Sequence, residues 1–280
     1  MNAVKITLLI ALLSACGHLK KTDDFAMKLY VFDCGNSKIK DISLFSPGVD
    51  QNKSKNLVMS CYLIEHPKGL LMWDTGLADS LISKPGGIKV RNGAFTLMVK
   101  KTLSSQLKEL KINPKEIKFM AFSHMHPDHT GNAGLFPNST VLVQNSEFAA
   151  AFGPNPSHYS FNKKTYDMLK QSNFKKLKGD YDVFGDGRVV IKHAKGHTPG
   201  HQVLFIDLPE TGPIVLSGDL YHFQKNRTYR RVPSFNFDKE LTLQSMDRIE
   251  KFISKKQATL WIQHDPEQRE DIRLAPEFYQ

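Results

Sequence analysis

The stretch Ser123-His124-Met125-His126-Pro127-Asp128-His129 sets three imidazoles and a carboxylate within six residues, directly after the apolar run Phe119-Met120-Ala121-Phe122. Four metal-binding side chains this close cannot all be absorbed into a core. Imidazole with carboxylate is a borderline-soft ligand set that suits zinc and its first-row neighbours. A lone histidine is most often a satisfied structural residue, but four ligand types at this spacing read as a metal centre. The apolar run reads as a short buried strand at 118–122, which puts the cluster at a strand's C-terminal end.

Three further segments carry ligand-type side chains where strands meet loops. Gly196-His197-Thr198-Pro199-Gly200-His201 precedes a strand, Ser217-Gly218-Asp219 follows one, and so does Gln263-His264-Asp265. Strand ends are rigid mounts that hold ligands in fixed geometry. His124, His126, Asp128, His129, His201, Asp219 and His264 are too many for one tetrahedral zinc and suit two divalent cations sharing a carboxylate. Two such cations lower the pKa of a bridging water, so a hydroxide at neutral pH is the expected attacking group. No Gly-x-Ser-x-Gly turn for a serine nucleophile occurs.

Around these segments, residues 28–32 read as a first strand, and 57–65 with 70–73 as a hairpin around His66-Pro67-Lys68-Gly69. Leu103, Leu107 and Leu110 share one face of a helix that stops before Asn113-Pro114. A strand at 140–144 leads to a helix capped by Ser146 and ending at Phe152, and 153–188 is irregular. Strands follow at 189–192, 202–206 and 214–216. Asp238 then caps a long helix with Leu241, Met246, Ile249, Phe252 and Ile253 on its apolar face, before a last strand at 258–262. Strands in both halves, each set followed by helix, predict a single α+β domain of sheets covered by helices.

At the N-terminus, Lys5 and the apolar run 6–13 lead into Leu13-Ser14-Ala15-Cys16-Gly17. The run is too short to span a bilayer and reads as the core of a signal peptide. Leu-Ser-Ala-Cys resembles the lipobox of bacterial lipoproteins. That implies removal of residues 1–15, a diacylglycerol on Cys16, a tether at 16–26 and a hydrolase domain at 27–280. Gly17 after the cysteine points to the periplasmic face of the outer membrane. An ordinary cleaved signal ending near a cysteine is the alternative. Cys34 and Cys61 then either form a disulfide or stand as small buried hydrophobes on neighbouring strands. The formal charge is +10, but the lysines are scattered and no basic-aromatic platform for nucleic acid stands out.

The ordered set His124-x-His126-x-Asp128-His129, His201, Asp219 and His264 resembles the metallo-β-lactamase superfamily over nearly the whole chain from Lys28. The resemblance implies an αββα sandwich, two mixed sheets flanked by helices, with a dinuclear site at one sheet edge. It implies that His124, His126 and His201 hold one cation, that Asp128, His129 and His264 hold the other, and that Asp219 bridges them. Zinc is the first expectation, with iron, cobalt and manganese compatible with the same ligands.

Within the superfamily the chain looks most like the N-acyl homoserine lactonases, on Cys61-Tyr62-Leu63-Ile64-Glu65, Trp73-Asp74-Thr75-Gly76, Ser123-His124-Met125-His126, Gly200-His201-Gln202 and His264-Asp265. That implies a small lactone substrate with an acyl chain. Asp219 and Asp128 are the expected catalytic carboxylates, Asp219 placed to pass a proton to the leaving ring oxygen. Many members carry a tyrosine three residues after the bridging aspartate. Here that position is His222 and the tyrosine is Tyr221, so both are candidates for the substrate-contacting role.

Other residues divide less sharply. Asp74 reads as a partner that orients a ligand histidine. His197 reads as bonded within its own loop, because seven ligands already fill two cations. His18, His66, His158 and His193 read as surface or loop residues. The aromatic segment Tyr221, His222, Phe223, Tyr229, Phe235 and Phe237 reads as packing, with an apolar acyl pocket as the alternative. Phe95, Leu97 and Met98 form either a lip over the site or part of the core. The enzymatic alternative is a thioester or ester hydrolase like glyoxalase II, which shares Gly-His-Thr-Pro-Gly-His. A non-catalytic metal-binding lipoprotein is the alternative of another class.

Overall fold

Period-two alternation sorts the strands' apolar side chains onto two faces, and that alternation generates the layers. The computed structural model describes residues 27–280. An eight-stranded sheet contains β1 (Lys28–Ile39), β2 (Lys55–His66), β3 (Gly69–Trp73), β4 (Ile88–Val90), β5 (Phe95–Met98), β6 (Ile117–Ala121), β7 (Thr140–Gln144) and β8 (Phe174–Leu177), in the order β4-β5-β1-β2-β3-β6-β7-β8. A five-stranded sheet contains β9 (Tyr181–Asp182), β10 (Val189–His193), β11 (Gln202–Leu208), β12 (Gly212–Leu216) and β13 (Thr259–Trp261), in the order β13-β12-β11-β10-β9. Both sheets are mixed: β3, β6, β7 and β8 run parallel, as do β12 and β13, while the remaining pairs are antiparallel.

Leu29 and Val31 of β1, with Tyr62 and Ile64 of β2, face Leu204 and Ile206 of β11 in the core between the sheets. The intervening Tyr30, Phe32, Cys61 and Leu63 face outward onto α1 (Leu103–Glu109) and α3 (Asn145–Phe152). Val203 and Phe205 of β11 face the other way, onto Met246, Ile249 and Ile253 of α5 (Lys239–Lys256). The result is an αββα sandwich forming one domain. Three short helices, α2 (Pro127–Thr130), α4 (Gln224–Thr228) and α6 (Pro266–Glu270), sit in the loops near the site.

The local expectations are met in part. Asp238 caps α5, accepting from the Leu241 N–H at 2.8 Å. Ser146 does not cap α3: the helix starts at Asn145, and the Ser146 hydroxyl donates to the Pro199 carbonyl at 2.9 Å. Cys34 and Cys61 form a disulfide joining β1 to β2. His66 is buried rather than superficial, stacked on Phe184 at 4.0 Å and 2.9 Å from Asp186. Segment 153–188 holds the short strands β8 and β9, which its composition hid. The signal peptide, Cys16, the tether and His18 lie outside the described residues. Among those described, no helix is long and apolar enough to cross a membrane.

Candidate metal centre

The parallel pairs deliver the chemistry to one edge. β3 and β6 end together at Trp73 and Ala121, and β12 and β13 end together at Leu216 and Trp261. The loops that follow carry Asp74, residues 123–129, Asp219 and His264. Pro127 opens α2, where its missing N–H is not needed. Gly218 has φ +48°, and a Cβ there would lie 2.6 Å from the Ser123 Cβ and 2.7 Å from His201 Nε2. Only glycine lets the β12 loop lie this close to the β6 loop.

Two clusters of donor atoms result, His124, His126, His197 and Asp219 in one and Asp128, His129 and His264 in the other, each within 4.8 Å. In the first, His124 Nε2 and His126 Nδ1 are 2.7 Å apart, and His197 Nε2 is 3.2 Å from both. Asp219 Oδ2 is 3.2 Å from His197 Nε2 and 3.8 Å from His124 Nε2. In the second, Asp128 Oδ2 is 3.7 Å from His129 Nε2 and 3.9 Å from His264 Nε2. Asp219 Oδ1 lies 3.3 Å from His129 Nε2 and 2.9 Å from His264 Nε2. Asp219 therefore turns one oxygen to each cluster.

Hydrogen bonds on the far side of each ring decide which nitrogen faces inward, because a carbonyl oxygen only accepts. His126 Nε2 donates to the Tyr159 carbonyl (2.9 Å), His264 Nδ1 to the Val58 carbonyl (2.7 Å) and His197 Nδ1 to Asn236 Oδ1 (2.9 Å). His129 Nδ1 meets Asp74 Oδ2 at 3.1 Å. Each is left with an inward lone pair. Burial, then the neighbouring imidazoles, hold His124 well below the usual histidine range, and burial with His197 brings His126 to about 3. Burial opposes ionisation of Asp219, but His264, His222, His129 and His124 outweigh it and keep it a carboxylate. Burial likewise opposes protonation of His129, yet Asp74, Asp219 and Asp128 raise it well above the usual range. His129 Nε2 is buried with no hydrogen bond. Crowded lone pairs, an orphaned ring nitrogen and excess carboxylate charge fit two divalent cations.

His201 is corrected by the same argument. Its Nδ1 donates to the Ala194 carbonyl (3.0 Å) and its Nε2 accepts the Asp219 N–H (2.9 Å), so neither nitrogen remains for a cation. The histidine among the donors is His197. His201 instead holds the Asp219 backbone in place. Tyr221 is also corrected as a catalytic candidate. It is packed between the second sheet and α5, and its hydroxyl donates to Glu250 Oε1 at 2.9 Å. His222 is 3% exposed and places Nε2 3.0 Å from Asp219 Oδ2. Burial outweighs the pull of Asp219 and takes it down to about 4.

Behind the donors, Asp74 adopts φ +55°, a left-handed conformation that costs an aspartate about 1 kcal/mol. Its carboxylate accepts from Ser123 N–H (2.7 Å) and Gln263 Nε2 (2.9 Å) as well as from His129. Glu147, which sequence reasoning passed over, is 1% exposed. It accepts from Met125 N–H, Thr198 Oγ1 and Gly200 N–H, each at 2.8 Å, and so clamps the two histidine loops together. Nothing in its helical sequence context distinguishes it from a surface glutamate.

A groove of about 390 Å³ opens beside the donors. Asp128, Asp219, His222 and His264 line its polar end, and Ile39, Phe45, Leu57, Phe95, Leu97 and Phe235 line its apolar part. The segment at Phe95 and Leu97 is thus the strand β5 and a groove wall at once. Of the aromatic segment, His222 and Phe235 reach the groove, while Tyr229 and Phe237 are exposed.

Residues 57–256 match the family model of the metallo-beta-lactamase superfamily. N-acyl homoserine lactonase AiiA of Bacillus thuringiensis subsp. kurstaki is 31% identical, over 90% of this chain and 98% of its own. N-acyl homoserine lactonase AttM of Rhizobium radiobacter is 30% identical with the same coverage. A solved N-acyl homoserine lactone hydrolase, with the product N-hexanoyl-L-homoserine at its catalytic metal centre, superposes with a TM-score of 0.79 at 30% identity, over 90% of this chain and 98% of that one. The chain belongs to the metallo-β-lactamase superfamily and, within it, to the family of the N-acyl homoserine lactonases.

Proposed function

We propose that the protein hydrolyses the lactone ring of N-acyl homoserine lactones, a quorum-quenching activity, with two zinc ions held by His124, His126 and His197 and by Asp128, His129 and His264, and shared by Asp219. The observation that carries it is a carboxylate with one oxygen in each donor cluster, standing at the polar end of an apolar groove. Zinc, when bound there, would supply an activated water and polarise the lactone carbonyl. The chain's own groups do the rest. The groove takes the acyl chain and excludes water from it. His222, donating from Nε2 to Asp219 Oδ2, keeps that carboxylate aligned. Water adds to the carbonyl carbon, the ring C–O bond breaks, and the departing oxygen takes up the proton. Asp128 carries that proton: its side chain is 27% exposed and lines the groove, whereas both oxygens of Asp219 are occupied between the clusters.

Zinc-loaded protein assayed on acyl homoserine lactones and on acyl-glutathione tests this reading. Faster opening of the lactone supports it; faster thioester cleavage overturns it in favour of the glyoxalase II-like alternative. Export with a lipid on Cys16, at the periplasmic face of the outer membrane, belongs to the same proposal. The Cys34–Cys61 disulfide supports an oxidising compartment. A mature mass carrying diacylglycerol on Cys16 is the expected result, and an unmodified Cys16 contradicts it.

A further inference from the structure

Among the described residues that line the groove, Arg91 is the one permanent cation. It sits in the turn between β4 and β5, in a left-handed conformation with φ +48°. Its guanidinium carbon lies over two rings, 5.5 Å from the centroid of Phe95 and 5.4 Å from that of Phe235. Phe235 in turn stands 6.0 Å from the rings of both His222 and His197. The guanidinium is therefore one aromatic ring away from the polar end of the groove. No carboxylate or carbonyl among the described residues pairs with it. The side chain is exposed, so its hydrogen-bond donors are open to solvent, at the wall of a groove that is otherwise apolar there.

This arrangement discriminates between acyl chains. A plain alkyl chain laid in the groove displaces water from those donors and offers nothing in return. A chain with an oxygen near its head restores the hydrogen bond. Building on the lactonase reading, we propose that Arg91 is a specificity-determining residue that selects lactones whose acyl chain carries a hydrogen-bond acceptor close to the amide, such as a 3-oxo group. The two phenyl rings hold the side chain in position, so the selection is built into the groove wall.

The test is the ratio of kcat/KM for N-(3-oxooctanoyl) over N-octanoyl homoserine lactone, measured on the zinc-loaded protein. The wild type is expected to favour the oxo substrate by about tenfold, carried mainly by KM, and Arg91→Met is expected to bring the ratio to about one. Arg91→Gly, which suits the left-handed backbone, removes the same donors without threatening the turn and gives the same collapse. Equal kcat/KM on both lactones in the wild type overturns the proposal, as does a preference that survives in Arg91→Met and Arg91→Gly. A wild type that opens neither lactone but cleaves thioesters overturns the lactonase reading itself.

Discussion

The two donor clusters share Asp219 and differ in charge. The first is three imidazoles against one carboxylate oxygen, and burial keeps His124 and His126 neutral. The second has two imidazoles beside Asp128, with Asp74 behind His129, and there the carboxylates win: His129 and His264 are both raised despite their burial, His264 chiefly by Asp219. One cluster is therefore ready to accept a cation with lone pairs already bare. The other holds surplus negative charge and, without a cation, satisfies it with protons. The lesson is that a single chain builds two unequal donor clusters by changing the ratio of imidazole to carboxylate.

The sharpest way to break this contrast is to remove what the clusters share. Asp219→Asn removes the charge common to both. Transition-state stabilisation of several kcal/mol disappears with it, so lactone hydrolysis should fall about a thousandfold or more. Steady-state rates together with bound-metal content check this, and near wild-type turnover would remove Asp219 from its bridging position. Next comes the histidine assignment. His197→Ala should lose the cation of the first cluster and keep that of the second. His201→Ala should keep both and reduce affinity or activity by about 10–100-fold, as a residue acting through Asp219 does. Metal content of the paired variants decides between them.

Asp74→Asn sharpens the contrast from the other side. It weakens the charge around His129 and should lower metal affinity in the second cluster by about 10–100-fold while sparing the first, as read from a two-site chelator competition. The smallest expected effect concerns the metal-free protein. His126 stands near 3 when folded, against about 6.5 when unfolded. Between those limits the unfolded chain binds more protons, so stability falls as pH drops below about 6.5. His124, His201 and His222 act in the same direction. His129 and His264, being raised, stabilise below that pH and lose their contribution as pH rises through their folded values. His66 and His193 are depressed as well, and the raised pair keeps its full contribution below about 6.5, so the depressed histidines set the sign and the melting temperature of the metal-free protein should drop between pH 7 and 4. A melting temperature that climbs over that range would contradict the ordering.

Most of the donor clusters were legible because chemistry concentrates residue types. Three histidines and an aspartate in six residues have few other uses, and Asp219 and His264 announce themselves at strand ends. His197 and His201 were harder to separate, since both belong to one Gly-His-Thr-Pro-Gly-His run. What distinguishes them is which nitrogen meets which backbone group: His201 between the Ala194 carbonyl and the Asp219 N–H, His197 against Asn236. That is tertiary information. Tyr221 and His222 likewise differ by one position but point to opposite sides of their loop, one into the α5 core and one toward the donors. Glu147 lay beyond reach for the same reason, since its partners come from two loops far apart in sequence. The layers were readable because alternation survives in β1, β2 and β11, whereas β4, β8 and β9 are too short to carry a period.

Metal stoichiometry of the purified, zinc-reloaded protein tests the central claim most directly. Two equivalents per chain, falling to about one in His197→Ala, is the predicted result. Less than one equivalent in the wild type after reloading would contradict a pair of cation sites joined through Asp219.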